Sequence, residues 1–418
     1  MGIAANLAHG FLVAGLAWAA AATQACAQNA TAGTVVIVHA NVIDGHANSP
    51  LMDATVAVTD GRIHSVGHGE TPVQQARVID LKGHWLLPGF VDAHVHVGDI
   101  AAARRALESG ATTIASAGTN HFADVGLREL NRGGAADIPD VVAAGYHIRP
   151  RPADEFFIDF PQLADLRRGV RGTEAVRRMV RAMAGRGVDR IKVLSTERAG
   201  LPDTDPRIRI FSDDELAAIV DEAQKAGLNV IAHAHGDEGA AAAIRAGVHA
   251  IEHGTYLSED TLRLMKEKGV YLDPTLTATQ DLVDPGGDYD NPILQIRGRA
   301  MLPVARAMVA QALSLGVKIV AGTDTAYSTR SNRRMADEII ALAEAGLAPM
   351  DAIKAATSVA AESVGAEKRI GSIRAGYEAD LVAVDRSPLA DIRHIGDVLL
   401  VVNNGKVALN RLDVTPQQ

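Results

Sequence analysis

The sequence predicts an α/β chain: a (β/α)8 TIM barrel with a small β-sandwich domain built from both chain ends. Three observations carry this. Between Pro88 and Arg369, eight short apolar runs alternate with amphipathic stretches, the rhythm of repeated βα units. The flanking residues, 28–87 and 370–418, read instead as short strands separated by turns. Polar residues of one chemical kind also fall at the carboxyl ends of several barrel candidates, where such barrels keep their functional groups.

The chain of 418 residues suits one barrel-sized domain plus a smaller one. Residues 1–27 read as a secretory signal: an uncharged apolar run, Phe11 to Ala22, precedes a small-X-small site at Ala25-Cys26-Ala27. The expectation is export, periplasmic or secreted, and the run is too short for stable membrane insertion. No Lys or Arg precedes the run, which departs from the usual signal pattern. Cys26 is the only cysteine, so a processed chain has neither disulfides nor thiolate metal ligands. Net charge is −9 without a polybasic run, which argues against nucleic acid as a partner.

The first flank opens with β-branched Val35–Val38. Ala54–Val58 and Arg62–Val66 then flank Asp60-Gly61, a hairpin signal. Val78–Leu81 follows. The other flank supplies Ala379–Val384, Val398–Val402 and the turn Asn403-Asn404-Gly405-Lys406. The histidines here (His39, His46, His64, His68, His84) read as surface or turn residues.

The barrel candidates are Phe90–Ala93, Thr112–Ala115, Val141–Ala144, Arg190–Leu194, Asn229–Ala232, Val248–Glu252, Val270–Asp273 and Lys318–Ala321. Among the helices between them, Asp213–Ala226 begins with Ser212 and Glu215, a capping box, and ends at Gly227. An open doubly wound sheet is the alternative, but no Gly-X-Gly-X-X-Gly follows a strand to support dinucleotide binding.

His94 and His96 end the first candidate one residue apart. Residues i and i+2 of a strand share a face, so both imidazoles can meet one ion. Alone, the pair is a weak signal in a chain with fifteen histidines. Lys192 lies in the fourth candidate, His233 ends the fifth, His253 the sixth and Asp324 the eighth. His235 shares a face with His233 and is an alternative ligand, whereas His249 reads as a packed core histidine.

The runs Gly89–His96, Ala232-His233-Ala234-His235-Gly236, Ile251-Glu252-His253-Gly254, Ala321-Gly322-Thr323-Asp324-Thr325 and Gly371–Val382 together resemble the amidohydrolase superfamily. Within it they are most similar to the branch of imidazolonepropionase-like proteins, Xaa-Pro dipeptidases and ochratoxin-hydrolysing amidases. The resemblance implies two divalent metal ions. His94, His96 and Asp324 would hold one, His233 and His253 the second, and a carboxylated Lys192 would bridge them. The chemistry agrees, because an ammonium cannot ligate a metal, while a neutral buried amine can react with carbon dioxide. Zinc is the expected metal, although imidazole and carboxylate also suit manganese and iron.

The implied reaction is amide hydrolysis by a metal-bridging hydroxide, with Asp324 as general base and then acid. The substrate would be a dipeptide, an N-acyl amino acid or an ochratoxin-like amide. His235, Tyr256, His147 and Arg198 are the candidate substrate contacts, with Arg149 and Arg151 as further guanidinium donors for a carboxylate. The loop Ser195–Gly200 departs from the Gly-rich loop of dipeptidase relatives, which leaves substrate choice open. Relatives commonly assemble, so a homo-oligomer is expected. A mononuclear cyclic-amide hydrolase or deaminase is the rival; a deaminase base three residues beyond the ligand fits only as Glu238 counted from His235. A lactonase and a non-catalytic binding protein complete the alternatives.

Overall fold

The computed structural model describes residues 34–69 and 76–412. The expected signal sequence and Cys26 lie outside the described residues. Among the described residues no helix is long and apolar enough to cross a membrane.

The small domain holds β1 (Val35–Val42), β2 (Leu51–Thr59), β3 (Arg62–Gly67), β4 (Arg77–Asp80) and β5 (Trp85–Pro88). The barrel strands are β6 (Phe90–Val95), β7 (Ala111–Ser116), β8 (Asp140–Val142), β9 (Arg190–Leu194), β10 (Asn229–Gly236), β11 (Ala250–Tyr256) and β12 (Tyr271–Asp273). The chain returns to the small domain with β13 (Leu381–Val384), β14 (Val398–Asn403) and β15 (Lys406–Asn410).

Both chain ends join, as expected, and they do so within one hydrogen-bonded sheet of order β15-β14-β13-β5-β1-β2-β3, with β4 branching from β1. The two layers suggested by the sequence are therefore arms of one sheet, joined where β13 pairs antiparallel with β5. Strand β13 is buried on both faces. Leu381 and Ala383 pack into the core of the small domain, while Val382 and Val384 pack into that of the barrel. This is the period-2 alternation of a strand shared by two cores. Both hairpin signals form turns with consecutive left-handed residues, Asp60 (φ 51°) with Gly61 (φ 77°) and Asn404 (φ 51°) with Gly405 (φ 76°).

The barrel strands are parallel, in two runs, β6-β7-β8 and β9-β10-β11-β12. Backbone bonds connect the runs on both sides. On one side Ile148 N–H donates to the Lys192 carbonyl (2.8 Å) and Leu194 N–H to the Ile148 carbonyl (3.0 Å). On the other, Val320 N–H donates to Leu272 (2.9 Å), Ala93 N–H to Ala321 (3.0 Å) and Asp324 N–H to His94 (2.8 Å). The expected eighth strand, Lys318–Ala321, is thus an extended seam, regular only at a bridge between Ile319 and Leu272. Its ladder is interrupted because Ala321 N–H donates to Ala355 outside the barrel wall (3.0 Å).

Every residue of β6, β7 and β9 is buried, as expected of strands covered on both faces. Beneath the mouth, buried Arg190 donates to the carbonyls of Ala93 (3.0 Å) and Ser116 (2.7 and 3.0 Å), tying three strands together under the histidines. The helix Asp213–Lys225 has its capping box, Glu215 N–H to Ser212 Oγ (3.2 Å) and Ser212 N–H to Glu215 Oε2 (2.8 Å).

Candidate metal centre

The carboxyl ends of β6, β9, β10 and β11, with the seam at Asp324, surround one pocket of about 500 Å3, its open mouth included. His94, His96, Lys192, His233, His235, His253, Asp324, His147 and Arg198 all line it. Tyr256 is not among the lining residues; its ring packs beside Ala199, Leu282, Leu294 and Met301. His249 lies away from the cluster and donates through Nε2 to the Ser363 carbonyl (2.9 Å).

The ligand atoms fall into overlapping groups. His94, His96 and Asp324 form one, and His233, His235 and His253 another. The structure thus adds His235 to the pair expected for a second ion. His235 and His253 stack with centroids 4.6 Å apart and planes 13° apart. A third group, His94, Glu252 and Asp273, lies deeper.

Four of the rings, those of His96, His233, His235 and His253, are oriented by a second nitrogen. His96 Nδ1 donates to the Gly118 carbonyl (2.7 Å), leaving Nε2 as a lone pair 3.0 Å from Asp324 Oδ1. His233 Nε2 donates to the Glu197 carbonyl (3.1 Å), which leaves Nδ1 free. His235 Nδ1 bonds the Thr255 hydroxyl (2.9 Å) and His253 Nδ1 the Thr275 hydroxyl (2.7 Å). Such outer partners fix tautomer and aim in metal sites.

The donor set fits a cation. Burial, with Lys192 next, lowers His94 to about 3, and burial likewise lowers His235 to about 3. Burial holds His233 and His253 well below the ordinary imidazole value. These rings are therefore neutral, the ligating form. Asp324 is buried beside His94 and His96. Its Oδ1 lies 3.2 Å from His94 Nε2 and 3.0 Å from His96 Nε2, yet has no hydrogen bond. Buried acceptors converging without a donor between them carry a large desolvation cost, which a bound cation offsets.

Lys192 is buried in contact with the Glu252 carboxylate, and its amine makes no hydrogen bond. Burial lowers its pKa well below the ordinary lysine value.

Backbone strain collects here. His253 (φ 72°), Thr275 (φ 44°) and Asp324 (φ 54°) are all left-handed without being glycine, a conformation kept where surrounding packing enforces it, often at functional sites. Two glycines make room. A Cβ on Gly118 would lie 2.3 Å from the His147 ring, and one on Gly322 would lie 2.2 Å from Asp273 and 2.7 Å from His94.

Several site residues escaped sequence reasoning. Glu252 and Asp273 precede or lie below the strand ends; Tyr289 sits in a loop without a motif. A faint signal was available for Glu252, which stands between apolar Ala250-Ile251 and His253. Glu238, the base required by the deaminase rival, has a side chain 76% exposed and lies outside the pocket lining.

The sequence model of the amidohydrolase family matches residues 85–408. The chain belongs to the amidohydrolase family. This amidohydrolase is 36% identical to ochratoxinase from Aspergillus niger over 223 residues, 53% of this chain and 46% of that protein. The chain thus spans about half the length of that curated relative. It is 26% identical to imidazolonepropionase from Micrococcus luteus over 389 residues, 80% of this chain and 88% of that one. Among solved structures, a Xaa-Pro dipeptidase with methionine bound in its active site superposes with a TM-score of 0.80 at 27% identity, covering 90% of this chain and 99% of the other. The A. niger ochratoxinase structure gives 0.76 at 28% identity, covering 90% and 96%. The family is metal-dependent, and these histidine-rich groups are potential metal sites.

Proposed function

We propose that this amidohydrolase cleaves the C–N bond of a small amide: a dipeptide, an N-acyl amino acid or an ochratoxin-like amide. The observation that carries this is the convergence of buried, unprotonated nitrogen and carboxylate ligands from separate strand ends on one pocket. His94, His96 and Asp324 would hold one divalent ion. His233 and His253, with His235 beside them, would hold a second, and carboxylated Lys192 would join the two sites. Zinc is the expected metal. Bound there, such ions supply Lewis-acid activation of the carbonyl and of water.

The protein's own groups supply the rest. Asp324 accepts the proton of the attacking water and returns it to the leaving nitrogen. His147, whose ring lies 5.6 Å from that of His96, stays neutral through burial and would touch the substrate carbonyl. Arg149 and Arg198 are a natural seat for a substrate carboxylate. Burial, then the charge of Arg198, lowers the Arg149 pKa, and neither guanidinium is committed to a hydrogen bond or ion pair within the described residues. Ochratoxinase and the Xaa-Pro dipeptidase are the relatives whose names support an amide substrate. Export remains part of the proposal.

The Lys192–Glu252 contact favours a second reading. There Lys192 stays uncarboxylated against Glu252, and the centre holds one ion.

A panel of dipeptides, benzoyl-amino acids and ochratoxin-like amides tests the activity. The expected result is hydrolysis of a carboxylate-bearing amide, lost in chelator and restored by zinc. Turnover of lactones alone, or chelator-resistant hydrolysis, would overturn it.

A further inference from the structure

The carboxylate of Asp324 is used asymmetrically. Oδ1 faces the nitrogens of His94 and His96. Oδ2 receives the hydroxyl of Tyr289 at 3.4 Å, and Tyr289 lines the same pocket. Tyr289 belongs to the short connection between the helices Leu276–Val283 and Pro292–Leu315, and no sequence motif marks it.

That connection is anchored by side chains on either side of it. Tyr289 N–H donates to Asp281 Oδ2 (3.2 Å). Gly287 fits so closely that a Cβ would lie 1.9 Å from Asp281 Oδ1. The preceding Asp288 accepts from Thr325 Oγ1 (3.1 Å) and Ser331 Oγ (2.8 and 2.9 Å), which ties it to the loop that follows Asp324. From the other side Gly200 lies flat on the Tyr289 ring, where a Cβ would come within 2.5 Å of it.

The Gly200 loop is itself clamped. Arg297 donates to the carbonyls of Ala199 (2.6 Å), Leu201 (2.5 Å), Pro202 (3.2 Å) and Thr204 (2.6 Å). Fixing a loop on three sides costs conformational entropy, and the outcome is a single hydroxyl aimed at one carboxylate oxygen. A phenol hydroxyl is a donor at neutral pH.

We infer that Tyr289 is a positioning residue for proton transfer at Asp324, holding the pocket-facing oxygen in line with the attacking water. This rests on the reading of Asp324 as proton carrier. Tyr289 forms no bond to substrate in this role. It removes the rotational freedom of a carboxylate that must both face the metal ligands and accept a proton.

Tyr289→Phe keeps the ring against Gly200 and removes only the hydroxyl. With benzoyl-phenylalanine, or the best substrate of the panel above, kcat should fall about ten-fold, as expected for a hydrogen bond to a charged group. KM should stay within about two-fold and metal content should be unchanged. A residue acting through Asp324 is non-additive with it, so Tyr289→Phe/Asp324→Asn should be no slower than Asp324→Asn alone. An unchanged kcat in Tyr289→Phe, a loss confined to KM, lost metal, or full additivity in the double variant would each overturn the inference. Full activity in Asp324→Asn would instead overturn the reading of Asp324 on which it rests.

Discussion

At the scale of the residue, the histidines were legible because strand geometry makes a simple statement about spacing. His94 and His96, and His233 and His235, are each two apart, so each pair had to share a face, and each pair lines the pocket. His233 remained ambiguous against His235 because spacing cannot say which lone pair is free; the answer lies in the Glu197 carbonyl and the Thr255 hydroxyl, partners far away in sequence. Buried carboxylates were illegible for the same reason. Asp380 is one of them, with Oδ1 accepting from Asn404 N–H (2.8 Å) and Oδ2 unpartnered. Burial, with Asp140 next, raises its pKa to about 8. The folded state therefore holds this proton to higher pH than the unfolded chain, whose Asp titrates near ~3.9. Between those values the unfolded state binds fewer protons, so stability falls as pH rises. Asp380→Asn keeps the shape and removes the charge. Thermal unfolding at pH 6 and pH 8.5 should show a smaller loss of Tm with rising pH in the variant; an equal loss in both proteins would refute this assignment.

At the scale of the element, apolar runs and their punctuation located the barrel strands, but not their ends. β10 and β11 continue through the histidines to Gly236 and Tyr256, beyond the expected Ala232 and Glu252. The continuation was hidden because polar ligands break the apolar pattern at the very places where the strands do their chemistry. The seam at Lys318–Ala321 is less regular than its composition suggests, since its backbone serves β6, β12 and Ala355 at once. β5 was missed: Trp85–Pro88 is four residues long and ends in proline. Local chemistry was read correctly at Ser212, and Ser212→Ala should cost about 1 kcal/mol, measured by denaturant unfolding, with activity unchanged. The clamp at Arg297 tests the loop over the pocket. Arg297→Met removes four carbonyl contacts and should make the segment Ala199–Thr204 the first site of limited proteolysis while raising KM several-fold. Protection equal to that of the parent protein would show that the loop holds itself.

At the scale of the whole molecule, the small domain is the brace of the barrel. β13 contributes alternate side chains to both cores, and Gly89 N–H, at the entry to β6, donates to the Asp380 carbonyl (2.7 Å). The first pair of metal-site histidines therefore begins from a strand registered against both ends of the chain. The family and the fold were legible because distant strand ends had to converge once the barrel was assumed. The substrate was not legible, because the pocket walls come from loops (Ser195–Gly200, the Tyr289 connection and the segment after Tyr146) whose positions depend on tertiary anchors. A metal bound to the folded state alone also stabilises it by mass action, so chelator should lower Tm as well as activity.

The central claim, a cage for two ions completed by Lys192, is tested most directly by metal analysis of protein purified without chelator, alongside Lys192→Ala. Two divalent ions per chain, falling to one or none in the variant with loss of amide hydrolysis, is the predicted result. One ion per chain at full activity, unchanged by Lys192→Ala, would contradict it.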